Sequence, residues 1–321
     1  MSKISNYGLA FLFPLLGLGL TQVGLAPSLA DVIVVSAYYL LLAGSWNMLA
    51  GFAGQFSFAH VGLAAAGAYA AGWITLSLGL PVWVSFVASP LVVGAAGFAL
   101  GLVSMRVRGA QLPLITFAFA GAFGVFLSAA SDITGGSMGM QIPRLVDGQS
   151  RNVFLVVAGV AVGLYLAVQE WMLSGSLGLQ MQAVRDNEEV AAASGVNVTK
   201  VKILAFMVTA AVAGFAGSFY ASYVGVLAPS ILSINEMGLI VAMVVVGGMG
   251  YRQGPLLGVV VLRTTEYIVR GTAAQYTTLV IAAVSLIVVL YFREGLAHAI
   301  ALVWRRLYAP QRRWSEHPVK P

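Results

Sequence analysis

Ten stretches of apolar residues follow one another along the chain, at about 8–25, 32–50, 61–79, 82–104, 110–130, 153–173, 203–225, 236–250, 256–270 and 275–292. A helix needs about 20 apolar residues to cross the hydrocarbon of a bilayer. In lipid every backbone N–H and C=O must be satisfied within the protein, which leaves helices or closed barrels. The pattern predicts an all-α, polytopic transmembrane helical bundle of about ten spans. The runs 236–250 and 256–270 are short, with Gly/Pro-rich sequence between them. They read as tilted, broken or re-entrant. The charge content agrees: 9% of the 321 residues are charged and 60% are apolar, whereas soluble domains carry roughly 25% charge.

Lys and Arg set the orientation. With a cytoplasmic N-terminus and ten spans, the inner segments hold Lys3, Arg106, Arg108, Arg185, Lys200, Lys202 and Arg252. They also hold the tail bases Arg293, Arg305, Arg306, Arg312, Arg313 and Lys320, while the outer loops hold only Arg144 and Arg151. This satisfies the positive-inside rule and puts both termini in the cytoplasm. The first 30 residues can be read as a signal peptide, with Ser28-Leu29-Ala30 as a cleavage site, or as a retained first span. Retention is favoured because nine more spans follow. Residues 1–295 then form the membrane domain, with an inner loop at about 174–202, and 296–321 form a basic cytoplasmic tail. Leu296, Ile300, Val303 and Leu307 share a stripe in that tail beside Arg305 and Arg306, the pattern of an amphipathic helix lying on the membrane surface.

Several chemistries are excluded. The chain has no cysteine, hence no disulfide, thiolate metal site or cysteine nucleophile. His60, His298 and His317 are far apart in sequence, so no metal or other cofactor is expected. No lysine follows a glycine, so the G-x-x-x-x-G-K-[ST] phosphate loop is absent. Gly135-Gly136-Ser137-Met138-Gly139 matches G-x-S-x-G, but a hydrolase needs that string on a strand-to-helix turn beside a histidine; a glycine-rich outer loop is the better reading. The net charge of +6 is concentrated at the C-terminal end, which points to orientation and anionic lipid rather than nucleic acid.

Candidate functional residues fall in three places. The inner loop contains Arg185-Asp186-Asn187-Glu188-Glu189-Val190 followed by three alanines, Ser194 and Gly195. Asp186 can cap a helix with Glu189 as its box partner, and Gly195 can close it in a left-handed turn. A short helix at about 187–194 follows, read either as a surface connector or as an element docking into a partner's groove. The segment from Asn47 through Gln55 and Ser57 to His60 is too polar and glycine-rich for a simple lipid-facing helix; it lines a path or forms an inner loop. Arg263, Glu266 and Arg270 share one helix face. Intramembrane charge marks function by default, while a self-neutralised packing cluster is the structural alternative. The spacings Gly97/Gly101, Gly159/Gly163 and Gly250/Gly254/Gly258 suit close helix packing in lipid. Gly51-Phe-Ala-Gly54 before Gly62 weakly echoes Gly247-Gly-Met-Gly250 before Gly258.

Trp46-Asn47-Met48-Leu49-Ala50-Gly51-Phe52-Ala53-Gly54-Gln55-Phe56-Ser57-Phe58-Ala59-His60 resembles the N-L-x-x-G-x-x-G-Q-x-S-x-G/A-H signature of permeases in the branched-chain amino-acid ABC importer family, on its LivM-like side. Arg106-Val-Arg108-Gly109, Thr134 to Gly139, Ala183 to Thr199, Gly247 to Pro255 and Phe292-Arg293-Glu294-Gly295-Leu296 agree in order. The resemblance implies a permease subunit of about ten spans in a bacterial inner membrane. Its partners would be a second homologous permease subunit, two cytoplasmic ATPase subunits and a periplasmic substrate-binding protein. It makes Arg185, Asp186, Glu188, Glu189, Val190 and Gly195 the ATPase-coupling residues. Asn47, Gln55, Ser57, His60 and Glu266 are the pathway candidates. Branched-chain or other hydrophobic amino acids are the expected cargo; urea and short amides are carried within the same family. A stand-alone ion-coupled transporter, with Glu266 as its acid, is the alternative function, and a lipid-acting enzyme built on Ser137 is a further rival.

Overall fold

The computed structural model describes residues 3–22, 24–107, 109, 111–145, 151–229 and 233–308. Arg108, the bases Arg312, Arg313 and Lys320, and the side chains of Lys3, Arg305, Arg306 and Leu307 lie outside the described residues. The helices are α1 (Lys3–Gln22), α2 (Pro27–Asn47), α3 (His60–Leu76), α4 (Val82–Ser104), α5 (Gln111–Ala129), α6 (Ser131–Thr134), α7 (Arg151–Ser174), α8 (Ser176–Asp186), α9 (Glu188–Ala193), α10 (Val198–Val224), α11 (Ile234–Gly247), α12 (Gly254–Ala273), α13 (Thr277–Tyr291) and α14 (Leu296–Tyr308). A π-helical turn at Met48–Phe52 extends α2. The strands β1 (Met140–Gln141) and β2 (Val226–Leu227) pair antiparallel.

Each apolar run falls on a helix. Length and composition nevertheless qualify six segments among the described residues as able to cross a membrane, with α12 and α13 counted as one, and Phe11–Gln22 and Asn235–Gly247 form shorter apolar helices. The difference from ten comes from short elements: α3 has 17 residues, α11 has 14 and α13 has 15. A 14-residue helix reaches only about 21 Å at 1.5 Å per residue.

Small residues govern the packing, as expected where lipid supplies no hydrophobic drive between helices. On α4, a Cβ on Gly101 would lie 2.9 Å from the Ile203 Cα, and one on Gly97 2.7 Å from the Phe206 carbonyl oxygen, so α10 rides directly on that stripe. Gly17 and Gly159 bring α1 onto α7: a Cβ on Gly159 would lie 2.6 Å from the Phe13 carbonyl oxygen. Gly258 of α12 sits against the Met243 backbone of α11. The core of Leu41, Leu42, Trp46, Phe206 and Phe219 fills the centre, between α2 and α10.

Connections 53–59, 105–107, 175–197 and 248–253 gather at one end of the bundle, where Arg185 meets Gly51 and Gly54. At the other end Arg151 pairs with Asp31 at 3.2 Å, and the Tyr223 hydroxyl donates to the same carboxylate. The Gly135–Gly139 string forms turns with positive φ at Gly135, Gly136 and Gly139, feeding β1 rather than standing between a strand and a long helix. In α14 the stripe divides: Leu296 packs against the core, while Ile300 and Val303 are exposed.

Candidate functional site

The first candidate lies at the end where Arg185 sits. Asn47, the last residue of α2, is wholly buried. Its Oδ1 accepts from the Gly250 N–H at 2.8 Å and its Nδ2 donates to the Tyr251 carbonyl at 3.0 Å. The two glycine-rich echoes thus touch: a Cβ on Gly51 would lie 2.6 Å from the Gly250 nitrogen. Arg185 of α8 closes the arrangement by donating to the Gly51 carbonyl at 2.8 Å. Gly54 has φ +68° and faces the Arg185 Cα, so neither its backbone nor its surroundings admit a larger residue. The Gly250 loop is also held from α7, where Gln169 donates to the Arg252 carbonyl and Arg252 pairs with Glu170 at 2.6 Å. On its other side the Tyr251 hydroxyl lies 2.6 Å from His298 Nδ1 of α14.

The helix α9 projects from this junction. Its cap is Asn187 rather than Asp186: the Asn187 side chain accepts from the Glu189 and Val190 N–H groups, both at 3.0 Å. Asp186 ends a preceding helix, α8, and pairs with Arg185 at 2.9 Å. The expected closure at Gly195 is present, with φ +85°. Gly195 donates to Ala192 and Val196 to Ala191, the bond pair that satisfies the last carbonyls of a helix. Ala191 is buried, but Val190 is 60% exposed and Ala192 and Ala193 are exposed. Lys202, buried on α10, pairs with Glu188 at 2.7 Å and ties α9 to the bundle. A cavity of about 590 Å³ lies between the start of α9 and Val107, Gly109, Leu112 and Pro113, and includes Gln55, Arg185, Glu188, Glu189 and Lys202 in its lining.

The pathway candidates do not converge. Gln55 lines that cavity, whereas Asn47 is saturated by backbone. Ser57 accepts from the Ala59 N–H, and its carbonyl accepts from the Trp46 indole. His60 is wholly buried, and neither ring nitrogen has a hydrogen-bond partner among the described residues.

The second candidate is an ion cluster around the buried Glu266. Glu266 is held by two guanidinium groups, Arg263 three residues before it and Arg270, at 2.7 Å, four residues after. Arg263 also lies over the Tyr39 ring, 5.0 Å from its centroid. The Tyr39 hydroxyl donates to Glu236 at 2.7 Å. Sequence reading missed Glu236 and Tyr39. The Ser233-x-x-Glu236 spacing signals a helix start, and Ser233 does accept from the Glu236 N–H; nothing in that spacing points to a partner on α2. No group of three or more His, Cys, Asp or Glu side chains suited to a metal occurs among the described residues.

The family model described as branched-chain amino acid transport system / permease component matches residues 28–290. The high-affinity branched-chain amino acid transport system permease protein LivM of Salmonella typhimurium is 29% identical over 83% of this chain and 69% of its own. The permease protein LivH of the same type of system in Escherichia coli is 25% identical over 82% of this chain and 92% of its own. An autoinducer 2 import system permease protein, LsrC of an Enterobacter, is 34% identical over 56% of this chain and 53% of its own. No solved structure matches the chain.

Proposed function

Because the chain belongs to the branched-chain amino acid transport system permease family, we propose that it is the membrane-spanning subunit of an ABC importer for hydrophobic amino acids, crossing the bacterial inner membrane about ten times with both termini cytoplasmic. A second homologous permease, two ATPase subunits and a periplasmic binding protein complete the machine. The observation that carries this reading is the exposed helix α9, capped at both ends and wired through Arg185 to the Gly51 carbonyl. Val190 at 60% exposure, beside Ala192 and Ala193, presents a small apolar knob for a partner's groove. Movement of the ATPases would press on α9. Arg185 would pass that displacement to the π turn of α2, and Asn47 would pass it to the loop before α12, tilting rigid helices between outward and inward states.

The arrangement disfavours the stand-alone ion-coupled alternative. A proton relay needs an acid free to exchange its proton, and both Glu266 oxygens are occupied by guanidinium groups. Cargo identity rests on the relatives, since no pathway residue above selects between amino acids and short amides. The test is co-purification from membranes. The wild-type chain is expected to bring an ATP-binding subunit with it, and Val190→Asp to reduce that yield at least about tenfold, as a buried unpaired charge at an interface would. A wild-type chain that imports solute with no ATPase attached would overturn the reading.

A further inference from the structure

The helix α4 packs on α10 and α7 packs on α2, and a cavity of about 800 Å³ opens between them. Its floor includes Leu41 of α2 and Tyr165 of α7, both buried, while Leu91, Phe98 and Trp171 stand exposed at its rim. Gly94, Ala95 and Ala211, at the seam of α4 and α10, leave the space that larger side chains would fill. The volume falls in the range of ligand sites, about 300–1,000 Å³. No charged residue lines the cavity, and a hollow without polar partners does not hold water. In a bilayer the filler at hand is a lipid chain. A chain lying on Leu41 would leave the ring of bulk lipid, because that residue belongs to the core.

The groove does not end blindly. Phe98 and Met207 also line a second hollow, of about 600 Å³, whose lining continues to Asn197, Thr199 and Lys200 at the end where α9 projects. Asn197 Oδ1 accepts from the Lys200 N–H at 2.9 Å, which leaves its Nδ2 as a donor. That nitrogen, Thr199 Oγ1 and Lys200 Nζ have no hydrogen-bond or ion-pair partner among the described residues. No acidic residue lines either hollow. Three donors, one of them a cation, match a phosphate. The positive-inside rule alone accounts for a lysine at this end, but not for an apolar groove that opens onto it. The lengths agree as well. Lys200 and Phe215, which bound the two hollows along α10, are fifteen residues or about 22 Å apart. One leaflet of hydrocarbon is about 15 Å deep. Trp171, three residues before the end of α7, is an exposed indole of the kind enriched at the membrane–water boundary.

We propose that the groove between α4, α7 and α10 holds one acyl chain of an anionic glycerophospholipid from the leaflet at the α9 end, with its phosphate taken by Lys200, Thr199 and Asn197. The site needs only that these helices cross a bilayer, so it stands apart from the cargo and from the importer reading. Its position gives it a consequence. The helices α7 and α10 are the two spans between which α8 and α9 hang, so a chain wedged here bears on the spacing of the spans that carry α9.

The experiment purifies the full chain in detergent with whatever subunits accompany it. Native mass spectrometry then titrates dioleoyl phosphatidylglycerol and dioleoyl phosphatidylcholine, which share their chains and differ in headgroup charge. The first phosphatidylglycerol is expected to bind at least about fivefold tighter than the first phosphatidylcholine, the worth of one lysine near an anionic group. Lys200→Gln is expected to bring the two lipids to near equality. Ala95→Phe puts a ring into the groove and is expected to weaken both at least about tenfold, as displacing two or more buried methylenes would. Ala95 and Lys200 are both exposed, so the variants are expected to fold, and an unchanged melting temperature checks this. Equal binding of the two lipids by the wild type overturns the site, as does a preference that survives Lys200→Gln. Binding indifferent to Ala95→Phe shows bulk lipid only and overturns it too. A preference seen in the isolated chain but lost when a second permease accompanies it gives the groove to that subunit and equally refutes the proposal. None of these results touches the importer reading, which is judged by the ATPase that co-purifies.

Discussion

Substituting Gly51 by alanine tests the junction where the two glycine-rich segments meet. The new methyl would lie 2.6 Å from the Gly250 nitrogen, a backbone atom that cannot swing aside, so the π turn and the Gly250 loop must separate. Overpacking of this kind costs about 1–3 kcal/mol. Separation also breaks the 2.8 Å bond from the Gly250 N–H to Asn47, leaving a buried donor unsatisfied at about 1–3 kcal/mol. Alanine returns about 1 kcal/mol of backbone preference in a helical segment. The net loss is then about 1–5 kcal/mol. Gly121→Ala is the matched control, because a Cβ there meets nothing within 4 Å; it is expected to be neutral or slightly stabilising. Unfolding in mixed micelles, followed through tryptophan fluorescence, reads both variants. Trp46 is a suitable reporter, being buried on one side of Gly51 in sequence and bonded to the Ser57 carbonyl on the other. If Gly51→Ala unfolds together with Gly121→Ala, the two segments do not bear on each other as described.

Two further substitutions probe the elements around the junction. Asn187→Ala removes the cap of α9 and is expected to cost about 1 kcal/mol locally, seen as roughly fivefold faster amide exchange at Glu189 and Val190. Asp186→Ala loses only an exposed pair with Arg185 and should leave those amides unchanged; equal acceleration in both would return the cap to Asp186. Arg252→Ala leaves the Glu170 carboxylate, whose side chain is 6% exposed, without its partner. It is expected to destabilise by about 3 kcal/mol, and pairing it with Glu170→Leu should recover most of the loss; failure of that rescue would show that Arg252 acts through the Leu173 carbonyl rather than through the ion pair.

What could be read from the chain alone follows from the range of each interaction. The apolar runs became helices because lipid imposes a local rule on each run independently, and the Gly195 closure was legible because a helix end is settled within a few residues. The cap was misplaced by one position for a related reason. Asp186 and Asn187 are both good caps, and the choice between them depends on α8, which has no apolar run to announce it: its buried residues are only Gly178, Met181 and Val184. The remaining errors are long-range. Gly51 and Gly250 were each conspicuous, and their resemblance was visible, but Asn47 reaches Gly250 across 203 residues and Arg185 reaches Gly51 across 134. Polarity at membrane depth marked Asn47, Ser57, His60 and Glu266 alike, although it says nothing about which way a side chain points; Asn47 turned to backbone, Glu266 to its own helix and His60 to no partner among the described residues. Glu236 illustrates the converse. Three positions after a serine it matches a helix-start pattern, and its N–H does donate to Ser233, so nothing in the sequence prompts a search for the tyrosine on α2 that meets its carboxylate. A residue that fits a local pattern is where a non-local role is hardest to see, and in a bundle packed through glycine the helices come close enough for such roles.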